Sequence, residues 1–134
     1  MEKIVKIEGK EIGLKVTAGT VCTYRDIFGR DLLNDMSLFE SELLKNRALS
    51  TDTAAIAEKA IWTMAKEYGE EHGEDIPQLK EWLDGFSPLF TYNACVHAIN
   101  MWVEGMKTLN STKKNKKERR ANGLLRFLFC GRCS

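Results

Sequence analysis

Residues 3–17 read KIVKIEGKEIGLKVT, and the fold class depends on how they are parsed. Ile4, Val5 and Ile7 precede Glu8-Gly9-Lys10; beyond that turn, Ile12, Leu14 and Val16 alternate with Glu11, Gly13 and Lys15. Side chains of a strand point alternately to its two faces, so apolar residues two apart build one buried face. A Gly-bearing turn between two such runs predicts an antiparallel hairpin. The period then changes. TAGT (17–20) breaks the alternation, Thr20 is placed to cap a short helix over VCTYRDIFG (21–29), and Gly29 is placed to end it.

From Arg30 onward, Leu32, Leu33, Met36, Phe39, Leu43 and Leu44 recur at three- and four-residue spacing, which predicts a second helix. Its acids come early and Lys45 and Arg47 late, as the helix dipole favours. Thr51 or Asp52 can cap a third helix with Ile56, Ala57, Ala60, Ile61, Met64, Ala65 and Tyr68 on its apolar face, until GEEHGED (69–75) interrupts. PQLKEWLDGF (77–86) predicts a short helical turn, and Ser87-Pro88 starts a long final helix. There Leu89, Tyr92, Cys95, Val96, Ile99, Trp102, Val103 and Met106 form a main stripe, while Phe90, Ala94 and Met101 carry apolarity to another side. A helix this apolar requires cover on two sides, from its own domain or from a partner.

The expected class is α+β, predominantly helical: an N-terminal β-hairpin followed by four or five helices and a basic, flexible C-terminal tail. A chain of 134 residues, 43% hydrophobic, suits one core and not two. Charge marks the boundary. Of 20 bases and 19 acids, residues 111–134 hold eight bases and only Glu118 among the acids, a charge of +7; residues 1–110 hold the remaining 12 and 18, a charge of −6. The division is therefore a domain over 1–110 and a basic tail over 111–134.

Several functions lack the residues they need. The N-terminus has no apolar stretch of the secretory kind, so the expected location is the cytoplasm. Residues 85–103 contain no Asp, Glu, Lys or Arg, yet Ser87, Pro88, Asn93, His97 and Asn100 would need shelter from lipid, so no membrane partner is expected. Cys22, Cys95, Cys130 and Cys133 read as reduced thiols; Cys130 and Cys133 form a CxxC without the second ligand pair a zinc site needs. His72 and His97 lie in no liganding pattern, and Glu70, Glu71, Glu74 and Asp75 lack calcium-loop spacing. The glycines form no phosphate loop, and Asp31 and Asp35 are accounted for by a helix dipole. No catalytic residue, metal or cofactor is expected. The basic tail leaves a small regulatory nucleic-acid-binding protein as the alternative class, since clustered Lys/Arg neutralise phosphates; the acidic body opposes it, and nucleic acid is not among the preferred partners.

IEGKEIGLKVTAGTVCTYRDIFGRDLLNDM (7–36) resembles the N-terminus of the tail assembly chaperones of long-tailed, siphovirus-type phages and prophages of Gram-positive bacteria. The likeness rests on the hairpin "I-x-G-K-E-I-G-x-K", then "AGT", then "YR-x-x-FGRD" and an amphipathic helix. It continues in Trp62-Thr63-Met64-Ala65-Lys66 and EWLDGF (81–86), and covers roughly residues 3–108.

The resemblance implies a non-enzymatic chaperone in the cytoplasm of the bacterial host. Such a protein binds the tape measure protein, keeps it soluble and promotes tail tube assembly. It also implies a longer, frameshifted form that recruits tail tube protein, and leaves self-association open. Lys113-Lys114-Asn115-Lys116-Lys117 needs A-rich codons, on which ribosomes slip, so the basic block suits a frameshift site. A tape measure is expected to be a long helical chain with apolar faces, which a helical domain with surplus apolar surface can cover. Trp82, Phe86, Phe90, Met101 and Trp102 are the candidate partner-binding residues, because aromatic and Met side chains dominate adaptable apolar interfaces.

Overall fold

The structure is a computed structural model and describes residues 1–46 and 50–108. The basic tail and the CxxC pair lie outside the described residues. Strands β1 (Glu2–Ile7) and β2 (Lys10–Lys15) pair antiparallel with Val5 opposite Ile12 and Ile7 opposite Lys10. Helices α1 (Ala18–Phe28), α2 (Leu32–Asn46), α3 (Thr51–His72), α4 (Leu79–Leu83) and α5 (Phe90–Thr108) follow. The described residues thus form the α+β, mostly helical arrangement expected.

The hairpin closes through two left-handed residues, Glu8 at φ 52° and Gly9 at φ 78°. That pairing of positive φ values fits the right-handed twist of the flanking strands, though Asn is the usual first residue. Glu8 is held there from outside the hairpin: its carboxylate accepts from Ser87 N at 2.8 Å and Ser87 Oγ at 2.6 Å. These bonds, the side-chain one foremost, lower its pKa. Lys10 adds a second tie, donating to the Gly85 carbonyl.

Two helix starts differ from expectation. Thr17, not Thr20, caps α1: Gly19 N donates to Thr17 Oγ1 at 3.1 Å, and Thr17 N donates to Thr20 Oγ1 at 3.0 Å. Thr20 is the inward member of a capping box, fully buried and bonded to the Lys15 carbonyl. Ser50, not Thr51 or Asp52, caps α3 by accepting from Thr53 N at 3.1 Å. The end of α3 also moves. It runs past Gly69 to His72 and is closed by Gly73 at φ 75°. Gly69 serves packing instead, since a Cβ there would lie 2.8 Å from Ile76 Cγ1.

Helix α3 is the axis of the molecule, packed against β2, α5, α1 and α2. Ile56, Ala57, Ala60, Ile61, Trp62, Thr63, Met64 and Ala65 are all buried on it. Val5, Ile7, Ile12 and Leu14 supply the inner face of the hairpin to the same core. Gly13 lies on the other face, where a Cβ would fall inside the Tyr68 ring. Tyr68 in turn stacks on His72 at 3.9 Å between centroids. A single glycine thus lets the end of α3 lap over the hairpin edge.

Candidate functional site

The corner between α1 and α2 uses nearly every residue of YRDIFGRD (24–31). Gly29, at φ 67°, caps α1 and turns the chain, and its N–H bonds to the Arg25 carbonyl. Arg30 then reaches forward to Asp35, Nε to Oδ2 and NH2 to Oδ1, both at 2.7 Å. Tyr24 Oη donates to the same Oδ2 at 2.7 Å. Asp31 accepts from Leu33 N at 3.0 Å and so starts α2. Phe28 packs against both Tyr24 and Trp62.

Asp35 is 1% exposed, so its charge is tolerable only because it is paired. Burial acts to raise its pKa, but the hydrogen bonds from Arg30 and Tyr24 outweigh that and leave it lowered. The phenol of Tyr24 is pushed well above its ordinary range by burial and by the adjacent carboxylate. Asp35 is therefore the anionic centre of a structural corner, rather than a helix-dipole acid alone. Asp35 is bonded by Tyr24 and Arg30 on the buried side of this corner, while the Arg30 side chain remains 48% exposed.

Helix α5 presents the opposite case. Phe90, Ala94, Cys95, Ala98, Met101 and Trp102 turn inward and are buried. Leu89, Tyr92 and Val96 are 66%, 63% and 58% exposed, and Val103 continues the same side. From Leu89, just ahead of α5, and then over about 17 Å of helix from Tyr92 to Val103, this stripe carries no charged side chain until Glu104 and Lys107.

The structure redistributes the five candidate binding residues. Trp82, Phe86 and Phe90 come together as one aromatic cluster, with Phe86 stacked on Phe90 at 4.2 Å and Trp82 edge-on to both, at 5.2 and 5.5 Å. Phe90, Met101 and Trp102 are core residues of their own chain. Only Trp82 and Phe86 keep partial exposure. The side taken as an extension in the sequence is the buried one, and half of the main stripe faces outward. A signal for this was present: Asn93, Asn100 and Lys107 lie on the outer side, whereas Ala94 and Ala98 permit close approach on the inner side. The Trp102 indole N–H is buried without a hydrogen-bond partner among the described residues.

No protein-family model, curated protein or solved structure matches this chain.

The remaining chemistry is sparse. Among the described residues no group of three or more His, Cys, Asp or Glu side chains could hold a metal ion, and no helix is long and apolar enough to cross a membrane. Burial, with a smaller contribution from Glu58, pushes the Cys95 thiol up to about 11, which leaves little thiolate for nucleophilic work. Burial and the charge of Lys3 lower the pKa of His97. A cavity of about 410 Å³ between α2 and α3 mixes Arg30 and Lys59 with Glu42 and Asp52, an arrangement without a convergent charge. What the described surface offers most clearly is apolar area on α5.

Proposed function

We propose that this protein is a non-enzymatic tail assembly chaperone, in the cytoplasm of a bacterial host, that binds a tape measure protein, keeps it soluble and promotes tail tube assembly. The observation that carries this reading is the outer stripe of α5: Tyr92, Val96 and Val103, with Leu89 just ahead of the helix, exposed along one side of a helix whose other side already fills the core. An exposed apolar strip on a folded domain marks an interaction surface, and helix-in-groove packing is the mode by which it would engage a long helical chain. The sequence resemblance supplies the identity of that chain. A longer frameshifted form recruiting tail tube protein belongs to the same reading.

Co-expression of the full chain with fragments of its tape measure, followed by pull-down at low and moderate salt, tests the proposal. Apolar burial predicts retention at both salt concentrations, and loss on Val96→Asp without loss of folded protein. Failure of the full chain to retain or solubilise any fragment would overturn it. Steeply salt-dependent capture of RNA or DNA in its place would mark phosphate neutralisation and favour the nucleic-acid reading.

A further inference from the structure

A cleft of about 330 Å³ lies between the hairpin tip and the 74–86 segment, away from the outer stripe of α5. Its apolar lining includes Ile12, Ala65, Ile76, Trp82 and Phe86. That volume is at the small end for ligand sites, about 300–1,000 Å³, and suits one large side chain better than a cofactor. The rim is acidic. Glu11, Glu74 and Glu81 line it, and Asp75 and Asp84 adjoin it in sequence, against Lys80 and the Glu70-paired Lys66 among the adjoining bases. Among the described residues none of these five carboxylates forms an ion pair, whereas Glu70 and Glu71 nearby are paired to Lys66 and Lys15. The one lysine of the lining, Lys10, is committed to the Gly85 carbonyl and lies over the Phe86 ring at 4.8 Å. The cleft therefore calls for an aromatic side chain carried by a basic segment.

This chain contains such a segment. Residues 113–126 hold seven Lys/Arg and one Glu, and Phe127 and Phe129 follow directly. Seventeen residues, 109–125, separate the end of α5 from Arg126. Extended, they reach up to about 56 Å, twice the roughly 28 Å length of α5. The stacking of Phe86 on Phe90 puts the cleft at the far end of α5, well within that reach. A tether of this kind supplies an effective concentration on the order of millimolar, so weak affinity suffices for occupancy. We propose that the cleft receives the chain's own C-terminal segment, with Phe127 against Trp82 and Phe86 and with Arg126 and the preceding bases on the rim carboxylates.

The native thiol of Cys130, three residues past Phe127, provides the test. In full-length Glu81→Cys with Cys133→Ser, oxidised at high dilution with diamide as the two-electron acceptor, the thiol introduced at the rim should form an intramolecular disulfide with Cys130, read by peptide mass. That disulfide should exceed the one between Cys130 and the native exposed Cys22 by at least about tenfold. Adding Phe127→Ala, or raising the salt, should lower trapping at 81 and leave trapping at Cys22 unchanged. Equal trapping at both thiols, or trapping indifferent to Phe127→Ala, would overturn the assignment. Purely intermolecular disulfides would overturn it in favour of a second copy's segment as the occupant. None of these readouts involves a tape measure, so this proposal and the chaperone reading fail separately.

Discussion

The α1–α2 corner and helix α5 show opposite relations between recognisable sequence and available surface. At the corner, Tyr24, Phe28, Gly29, Arg30 and Asp31 form the most motif-like run in the chain, and each is occupied by the fold. On α5, the residues with surface to offer are Leu89, Tyr92, Val96 and Val103, which no motif marks. A run that looks like a motif need not lie where partners bind. Here it specifies a turn, a cap and one buried charge, the conditions for α2 to leave α1 at a fixed angle.

The strongest challenge to this contrast is to truncate the two faces of α5 separately. Trp102→Ala removes a large core side chain and should cost about 3–5 kcal/mol in denaturant unfolding, while Tyr92→Ala on the outer stripe should stay within about 0.5 kcal/mol. Comparable losses from the two would mean that the outer stripe is also part of the core, and no docking face would remain.

A smaller effect is expected at the corner. Asp35→Ala strands the buried Tyr24 hydroxyl, while the half-exposed Arg30 can turn to water, so the cost should be about 2–4 kcal/mol. Binding by the protein that remains folded should be unchanged. A corner variant that keeps its stability but loses its partner would show that the motif is read by the partner directly.

The smallest effects come with acid, in two separate windows. His97 has a folded pKa below its ordinary 6.5, so the neutral ring is favoured and its contribution is full above about pH 6.5 and declines below it. Asp35 has a folded pKa below 3.8, so its contribution is full above about pH 4 and is lost as pH falls through the folded value. Stability measured against pH should lose the upper slope in His97→Gln and the lower slope in Asp35→Asn. A single slope abolished by neither variant would assign acid sensitivity to other groups.

How much was legible in the sequence follows from how local each signal is. The hairpin rests on period-two alternation with a Gly-bearing turn, both local, and is readable; the pairing of Val5 with Ile12, which leaves Ile4 exposed, comes from the structure. The caps were misplaced by one to three residues because Thr17, Thr20, Ser50, Thr51 and Asp52 are all competent capping types. Which of them acts depends on the buried side of Thr20 and Thr53, set by packing. The inward face of α5 was harder. Apolar residues lie nearly all round that helix, so periodicity alone does not choose; Ala94 and Ala98 choose, through the closeness they allow to neighbouring elements. Phe90, Met101 and Trp102 looked like interface residues for the same reason that they make good core: they are large and apolar.

The bonds from Ser87 to Glu8 join residues 79 positions apart. A two-residue hairpin closes on its own within microseconds, whereas the tie from its tip to Ser87 closes a loop that takes in α1 to α4. The entropy of closing so long a loop rises only with the logarithm of its length, so this tie is slow to be found more than it is costly to keep. The left-handed Glu8 thereby fastens the turn of the hairpin to the segment that leads into α5.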